Sequence, residues 1–338
     1  MTNSLSLRCF RIALASTAMI AAPLSAETSE DEGESLDAVE SNSLAISGPE
    51  GDLAVAQQGR PTGPPTGVPQ GRPGGPPGFK PVFDDTWVTV GIGAGIVPSY
   101  SGSDDYRLFP LPLIVGRVGG VGISPNGPGL SLDLLSKAPE AGPPRAPKTS
   151  VSFGPSFRFR NDRDGSIGDD VVALAGDLET SIEVGVQGSV SFPAMLNGND
   201  SLTLGTQVRW DILGAHDGML IEPSIGYFSP LSRGAVVQLS ASASFVDDSF
   251  ADYYYSVSPT QAANSGLAEF TADGGLNSVG ATGIFTIDLD GNALNGGFNI
   301  YAIAGYSRLV GDAADTPFTS QRGSADQFIG GIGLGHTF

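Results

Sequence analysis

The chain is short of the residues on which most soluble chemistry depends. Of its 338 residues, one is cysteine, two are histidine, and 16 % are charged against the usual quarter. Basic residues are outnumbered, 17 against 36 acidic, for a formal charge of −19. Phosphate backbones demand the opposite sign, so a nucleic-acid partner is excluded. No uninterrupted run of about 18 apolar residues occurs, which excludes a polytopic helical membrane protein. The lone Cys9 precedes the first apolar stretch, so it is no lipoprotein acylation site. A chain processed after Ala26 has no cysteine and needs a source of rigidity other than disulfides, which barrel closure provides. What is abundant is glycine, 48 residues, together with 25 prolines. Glycine costs about 1 kcal/mol per helix-interior site relative to alanine, so a helical bundle is disfavoured. An all-β chain with many turns remains.

The N-terminus reads as an export signal over residues 1–26. Arg8 and Arg11 form the positive region, Ile12 to Ala22 the apolar region, and Ala26 the small residue at the cleavage point. Residues 27–82 are expected to be disordered. Nine acidic and no basic residues lie between Glu27 and Asp52, and eight Pro and seven Gly between Gly59 and Pro81. Such composition buries too little apolar area to offset ordering entropy. A solvated tether is the simplest role for it, and its proline-rich part also suits a peptide ligand.

From Thr86 onward the hydrophobic pattern has period two. Leu178, Thr180, Ile182, Val184, Val186, Val190 and Phe192 alternate with Glu179, Ser181, Glu183, Gly185, Gln187, Ser189 and Ser191. Val151, Phe153, Phe157 and Phe159 alternate in the same way with Ser152, Gly154, Ser156, Arg158 and Arg160, and Leu202, Leu204, Val208 and Trp210 with Thr203, Gly205, Gln207, Arg209 and Asp211. One face is apolar and the other polar, as a half-buried strand requires. Strands of a dozen residues exceed the usual five or six of soluble sheets and reach the 9–11 that a tilted strand needs to cross a bilayer. Aromatics near strand termini (Trp87, Trp210, Tyr227, Phe228, Tyr306, Phe338) suit an interfacial girdle on the apolar face.

The predicted fold is all-β, a transmembrane antiparallel up-and-down barrel. Twelve strands are expected, at 86–98, 106–117, 118–124, 128–136, 149–160, 178–192, 201–213, 218–228, 234–247, 277–290, 297–310 and 326–338, or ten if 118–136 is a single strand. With a periplasmic N-terminus, the short connections 196–200, 230–234 and 290–296 fall on the periplasmic side and the long ones, 161–177, 248–276 and 311–325, outside. The candidate lumen-lining residues are Arg158, Arg160, Glu179, Glu183, Gln187, Arg209 and Asp211.

Three stretches carry a resemblance: GIGAGIVPSYSGSDDYRLFPLP (Gly91 to Pro112), DYYYSVSPTQAANSGL (Asp252 to Leu267) and YSRLVGDAADTPF (Tyr306 to Phe318) with the terminal GLGHTF. Together they resemble the MipA/OmpV family of outer-membrane proteins over about 83–338. The resemblance implies an outer-membrane barrel of a Gram-negative bacterium, surrounded by outer-membrane lipid. It also implies, for the namesake, a scaffold linking a murein-degrading lytic transglycosylase to a murein synthase, and an assembly signal at the terminal Phe338. The motif residues Pro98, Tyr100, Gly102, Ser103, Asp104, Asp105 and Tyr106, and Gly311, Asp312, Asp315 and Pro317, read from their own chemistry as turns. Asp104, Asp105, Asp312 and Asp315 lack the spacing of a calcium loop, so no metal or cofactor is expected. Catalysis is not expected either. His216 sits in a Gly-bounded turn read as exposed, His336 shares the outward face of Leu334 and Phe338, and neither adjoins a serine elbow. The Tyr253-Tyr254-Tyr255 run reads as interfacial packing. The expected function is a non-enzymatic scaffold in cell-envelope maintenance, with a narrow passive channel as the alternative.

Overall fold

The computed structural model describes residues 81–338 apart from 85, 137–147 and 164–166. The expectations for the signal peptide and for the leader up to residue 80 lie outside these, as does most of the connection 137–148. Thirteen strands form one antiparallel sheet in which the second and third both pair with the first, the others pair with their neighbours in sequence, and the last pairs back onto the first. The strands are β1 (Trp87–Pro98), β2 (Tyr106–Pro110), β3 (Leu113–Val118), β4 (Val121–Pro125), β5 (Gly129–Asp133), β6 (Ser150–Arg160) and β7 (Ser181–Pro193). They continue with β8 (Ser201–Asp211), β9 (Met219–Pro230), β10 (Ala235–Val246), β11 (Gly275–Asp288), β12 (Gly297–Leu309) and β13 (Asp326–Thr337).

β2 and β3 are two halves of one stave. Both pair with β1, and Gly93 and Leu111 exchange backbone hydrogen bonds across the break between them. The barrel therefore has twelve staves, and 118–136 holds two strands rather than one. The break has a chemical cause. Because Leu111 turns its amide and carbonyl to β1, Pro110 and Pro112 turn their nitrogens to the opposite edge. No strand pairs with β2 there, and proline, which has no N–H to give, is tolerated on such an edge. β4 and β5 are shorter than expected, five residues each, and form a low hairpin that meets β3 and β6 only near one end.

The wall is apolar outside and mostly polar inside. Ile92 is 73 % exposed, and Phe153, Phe159, Trp210, Leu239, Phe285, Tyr306 and Ile332 are all exposed on the outer face. Water does not tolerate an apolar surface of this extent, whereas a bilayer requires one. Where β1 meets β13, the inward positions Gly91, Gly95, Gly331 and Gly333 have no side chains. A Cβ there would strike the ring of Tyr301 or the side chain of Leu111, so bare backbone makes room for two large residues inside the barrel.

Trp87 and Phe228 depart from the expected girdle. Trp87 shares its inward face with Thr89, whose hydroxyl bonds that of Thr337 across the seam. Phe228 follows Tyr227 directly, and adjacent residues of a strand cannot face the same way. Trp210, Tyr306 and Phe338 do point outward and are exposed, and so does His336, stacked between Phe298 and Phe338 at 4.5 and 4.3 Å.

The two ends of the barrel differ. At the end where β1 begins and β13 finishes, the connections described throughout are turns, 119–120, 194–200, 231–234 and 289–296; this is the turn end. At the other, the loop end, the connections 99–105, 161–180, 212–218, 247–274 and 310–325 fold together. They carry helices α1 (Asp170–Leu174), α2 (Asp248–Tyr255), α3 (Pro259–Ser265), α4 (Asp312–Asp315) and α5 (Pro317–Ser320). Nearly all the buried apolar side chains lie here, in two clusters. Leu220, Val246, Phe250, Ala251, Tyr254, Tyr255, Ala272, Leu309 and Ala313 form one, and Tyr100, Val172, Ala175, Val257, Leu267 and Phe318 the other.

Candidate functional site

The inward polar positions of β6 to β9 come together under the loop-end cap as one ionic belt. Arg160 Nε donates to Glu183 Oε1 at 2.7 Å and Arg209 Nε to Glu183 Oε2 at 3.1 Å. Arg209 Nη2 donates to Glu222 Oε2, and Arg158 Nη1 lies 3.2 Å from Glu222 Oε1. Glu183 is thus held by guanidiniums from the two staves beside its own, and Glu222 by one from the adjacent β8 and one from β6, three staves away. Arg209 also donates to Gln207 Oε1, which accepts from Ser156 Oγ and from Asn126 Nδ2 at the tip of the β4–β5 hairpin. Glu183 is fully buried and Arg209 1 % exposed, while the side chains of Arg158 and Glu222 keep about a quarter of their surface. Charges this deep persist only when paired and fully hydrogen-bonded, and the fork of arginine meets both needs at once.

The cap rests on this belt. The Arg160 guanidinium lies 5.0 Å from the Phe250 ring and 5.7 Å from Tyr254. His216 is buried rather than exposed as its turn suggested, because its ring packs on Phe250 and Tyr254 at 5.0 and 5.5 Å. Its Nδ1 accepts from the Gly218 amide, and its Nε2 stands 3.8 Å from Glu183 Oε1. This is the geometry of a brace between cap and belt. Tyr254 and Tyr255 are likewise core of the cap rather than interfacial. Burial pushes the Tyr255 phenol up to about 12, with Asp162 adding to the effect.

Other expected lumen residues serve elsewhere. Glu179 precedes β7, is exposed, and its amide donates to Tyr253 Oη. Asp211 ends β8 and accepts from the amides of Leu213, His216 and Asp217, so it ties a loop rather than lining a passage. Gln187 donates to Ser152 Oγ and the Leu132 carbonyl. Glu222, Gln207 and Asn126 were not among the candidates, although Glu222 shares the alternating face of Leu220, Ser224 and Gly226 and could have been read from it.

The motif turns are parts of the cap. After Pro98, the Tyr100 hydroxyl donates to the carbonyls of Phe318 and Arg322, which ties the 99–105 loop to α5. Burial, then the nearby Asp169 and Asp104, raise this phenol above its ordinary value. Gly102 has φ +100, and a Cβ there would strike Thr319 Oγ1. Ser103 Oγ binds Ser99 Oγ and the Asp105 amide, and Tyr106 Oη accepts from the Phe328 amide. Asp104 and Asp105 are exposed. The 311–317 segment is helical rather than a turn, with Gly311 before α4 and Pro317 opening α5. Asp312 accepts from the Asp273 amide, and Asp315 closes α4. Among the described residues no group of three or more His, Cys, Asp or Glu side chains is placed to hold a metal ion. Asp169 caps α1 and accepts two bonds from Arg322. Burial alone would raise its carboxyl, but Arg322 and the amides of Val172 and Val171 hold it below the usual carboxylate range.

A closed twelve-stave antiparallel barrel, apolar outside and polar within, is a transmembrane β-barrel of the outer-membrane type. The family described as MltA-interacting protein MipA matches residues 90–338, and the chain belongs to it. Among curated proteins, none matches this sequence. Among solved structures, an outer-membrane channel from Pseudomonas putida F1 is similar at 14 % identity with a TM-score of 0.38, covering 75 % of this chain and 96 % of that one. That likeness is too loose to transfer anything to this chain.

Proposed function

We propose that this chain is exported by its first 26 residues to the outer membrane of a Gram-negative bacterium. There it works as a non-enzymatic, non-conducting scaffold of the cell envelope, meeting its partners from the turn end, which faces the periplasm. The observation that carries this reading is the loop-end cap: four loops bury two hydrophobic clusters, and the cap rests on an ionic belt that spans the inward faces of four staves. A passage would have to break both. The family's description as MltA-interacting supports a murein-processing enzyme as partner. The 27–82 leader, which joins the barrel at the turn end, is the segment we assign to reaching it.

Planar-bilayer recording of the refolded chain tests the reading. Electrical silence from protein that shows a heat-modifiable gel shift is the expected result. Stable unitary steps altered by Arg158→Ala would replace it with the alternative, a narrow passive channel. The alternative is supported by the polar inner face of Ser152, Ser156, Thr203, Ser224, Ser240 and Ser242, and it requires the cap to move.

A further inference from the structure

The opposite mouth holds a cavity of about 850 Å3, within the range of small-molecule sites. Its walls are largely apolar: the inward side chains of Trp87, Leu113, Val115, Phe228 and Val236, with Leu294 from the 289–296 turn. The positions are unusual for this barrel, whose inward faces elsewhere carry mainly serine, threonine, glycine and paired charges. Most polar groups on the wall are already engaged. Thr89 and Thr337 bond each other, Asn299 donates to Thr337, and Asp288 accepts from the amides of Asp290 and Asn292.

Arg233 lines the cavity from the 231–234 turn, and its guanidinium makes no ion pair or side-chain hydrogen bond among the described residues, although Asp288 shares the lining. Nearby, the Arg117 guanidinium, two positions beyond Val115 on the same inward face, is met by neutral oxygens of Ser136 and Phe83. In a chain with twice as many acids as bases, an arginine with no ion pair at an apolar mouth is a specific arrangement. In the wall itself the Trp87 Nε1–H is buried with no acceptor, whereas buried polar groups are nearly always satisfied.

We propose that the turn-end mouth binds an anionic acyl-chain amphiphile, with the chain against Trp87, Leu113, Val115 and Val236 and the anionic head on Arg233. A fatty-acid carboxylate and the phosphate of an anionic lipid share this chemistry. The proposal goes beyond the scaffold reading and is independent of conductance, since the cavity lies at the end the cap does not cover.

The chain has two tryptophans, and only Trp87 lines the cavity, so contact quenching by a brominated chain reports occupancy. The Trp210→Phe variant of the full mature chain, refolded, checked by its heat shift and transferred to amphipol to remove micelles, is titrated with 9,10-dibromostearate. Saturable quenching of Trp87 is expected, and Arg233→Gln should weaken it about tenfold while Arg233→Lys keeps most of it. Val236→Phe, which fills the cavity, should abolish the saturable phase without removing the heat shift. A parallel titration with dibromostearoyl phosphatidylglycerol identifies the source, and saturation by either probe supports the site. Quenching of Trp87 that rises linearly and equals that of the outward Trp210 in a companion Trp87→Phe variant would overturn the proposal. Equal affinity for brominated stearyl alcohol, or indifference to Arg233→Gln, would overturn it too.

Discussion

The loop end and the turn end of this barrel are built on the same staves with the same alternation, yet one carries a folded cap and the other holds a cavity. The difference is connection length and what the connections contain. The 161–180, 247–274 and 310–325 loops are long enough to fold helices whose apolar faces meet, so the protein's buried core lies in them rather than in the wall. The turns 231–234 and 289–296 are short, and the inward side chains of Trp87, Leu113, Val115 and Val236 line the cavity beside them. A barrel that faces lipid outside has no apolar core of its own, so a core exists only where loops supply both sides of it.

The largest effect is expected where the belt joins cap to wall. Arg209→Ala leaves Glu183 and Glu222 each short of a partner, and breaking a buried pair costs about 3–5 kcal/mol. The temperature of the heat-modifiable gel shift should fall steeply, whereas Arg209→Lys, which keeps the positive charge between the two carboxylates, should lower it less. An unchanged shift in Arg209→Ala would show that the belt does not brace the staves. Next is Phe250→Ala, which removes a ring buried to 1 % exposure and should weaken the cap by about 3–5 kcal/mol. Hydrogen exchange should then speed up in α2 and leave the amides of β7 and β8 protected. Leu294→Ala at the turn end, where the side chain is 36 % exposed, should cost under about 1 kcal/mol by the same measurement.

Titration should sharpen the picture of the loop end, from opposite sides of neutral pH. The Tyr255 phenol is raised to about 12 by burial, so its contribution is complete below the unfolded value near 10 and is lost as pH rises from there through 12. Absorbance at 295 nm should show it ionising after the exposed tyrosines, with the cap loosening as it does. Asp169 is shifted downward, so its contribution is present above the unfolded value near 4 and disappears as pH falls through its lower folded value. Acid should therefore speed exchange in α1, and Asp169→Asn should remove that dependence. The smallest effect belongs to Arg308→Ala, because its pair with Asp326 is 54 % and 42 % exposed and well screened. Its heat shift should match the parent.

The strands were legible because a wall with lipid on one side and polar groups on the other imposes period two. Ser181 to Pro193 shows this in nearly every residue. The same rule contained the correction for Phe228, whose neighbour Tyr227 already occupied the outward face. The cap was not legible as a unit. Its helices are four to eight residues long, too short for a 3.6-residue period to stand out. One signal was present: Ser258, Pro259, Gln261 and Gly266 form a capping box with proline in the first turn and a left-handed glycine at the end. His216 looked exposed because turns usually are, and only the Phe250 and Tyr254 rings from another loop bury it.

By itself the amino-acid sequence determined the staves, their two faces, the parity that puts long connections at one end, and the free edge marked by Pro110 and Pro112. All of these follow from local rules: alternation, turn chemistry and the missing N–H of proline. Tertiary structure alone decided that Glu183 takes Arg160 and Arg209 while Glu222 takes Arg158 and Arg209, that four loops bury two apolar clusters, and that Arg233 makes no ion pair among the described residues at an apolar mouth. Those outcomes depend on barrel closure and shear, which set which residues of distant staves stand at the same height, and no local pattern encodes that.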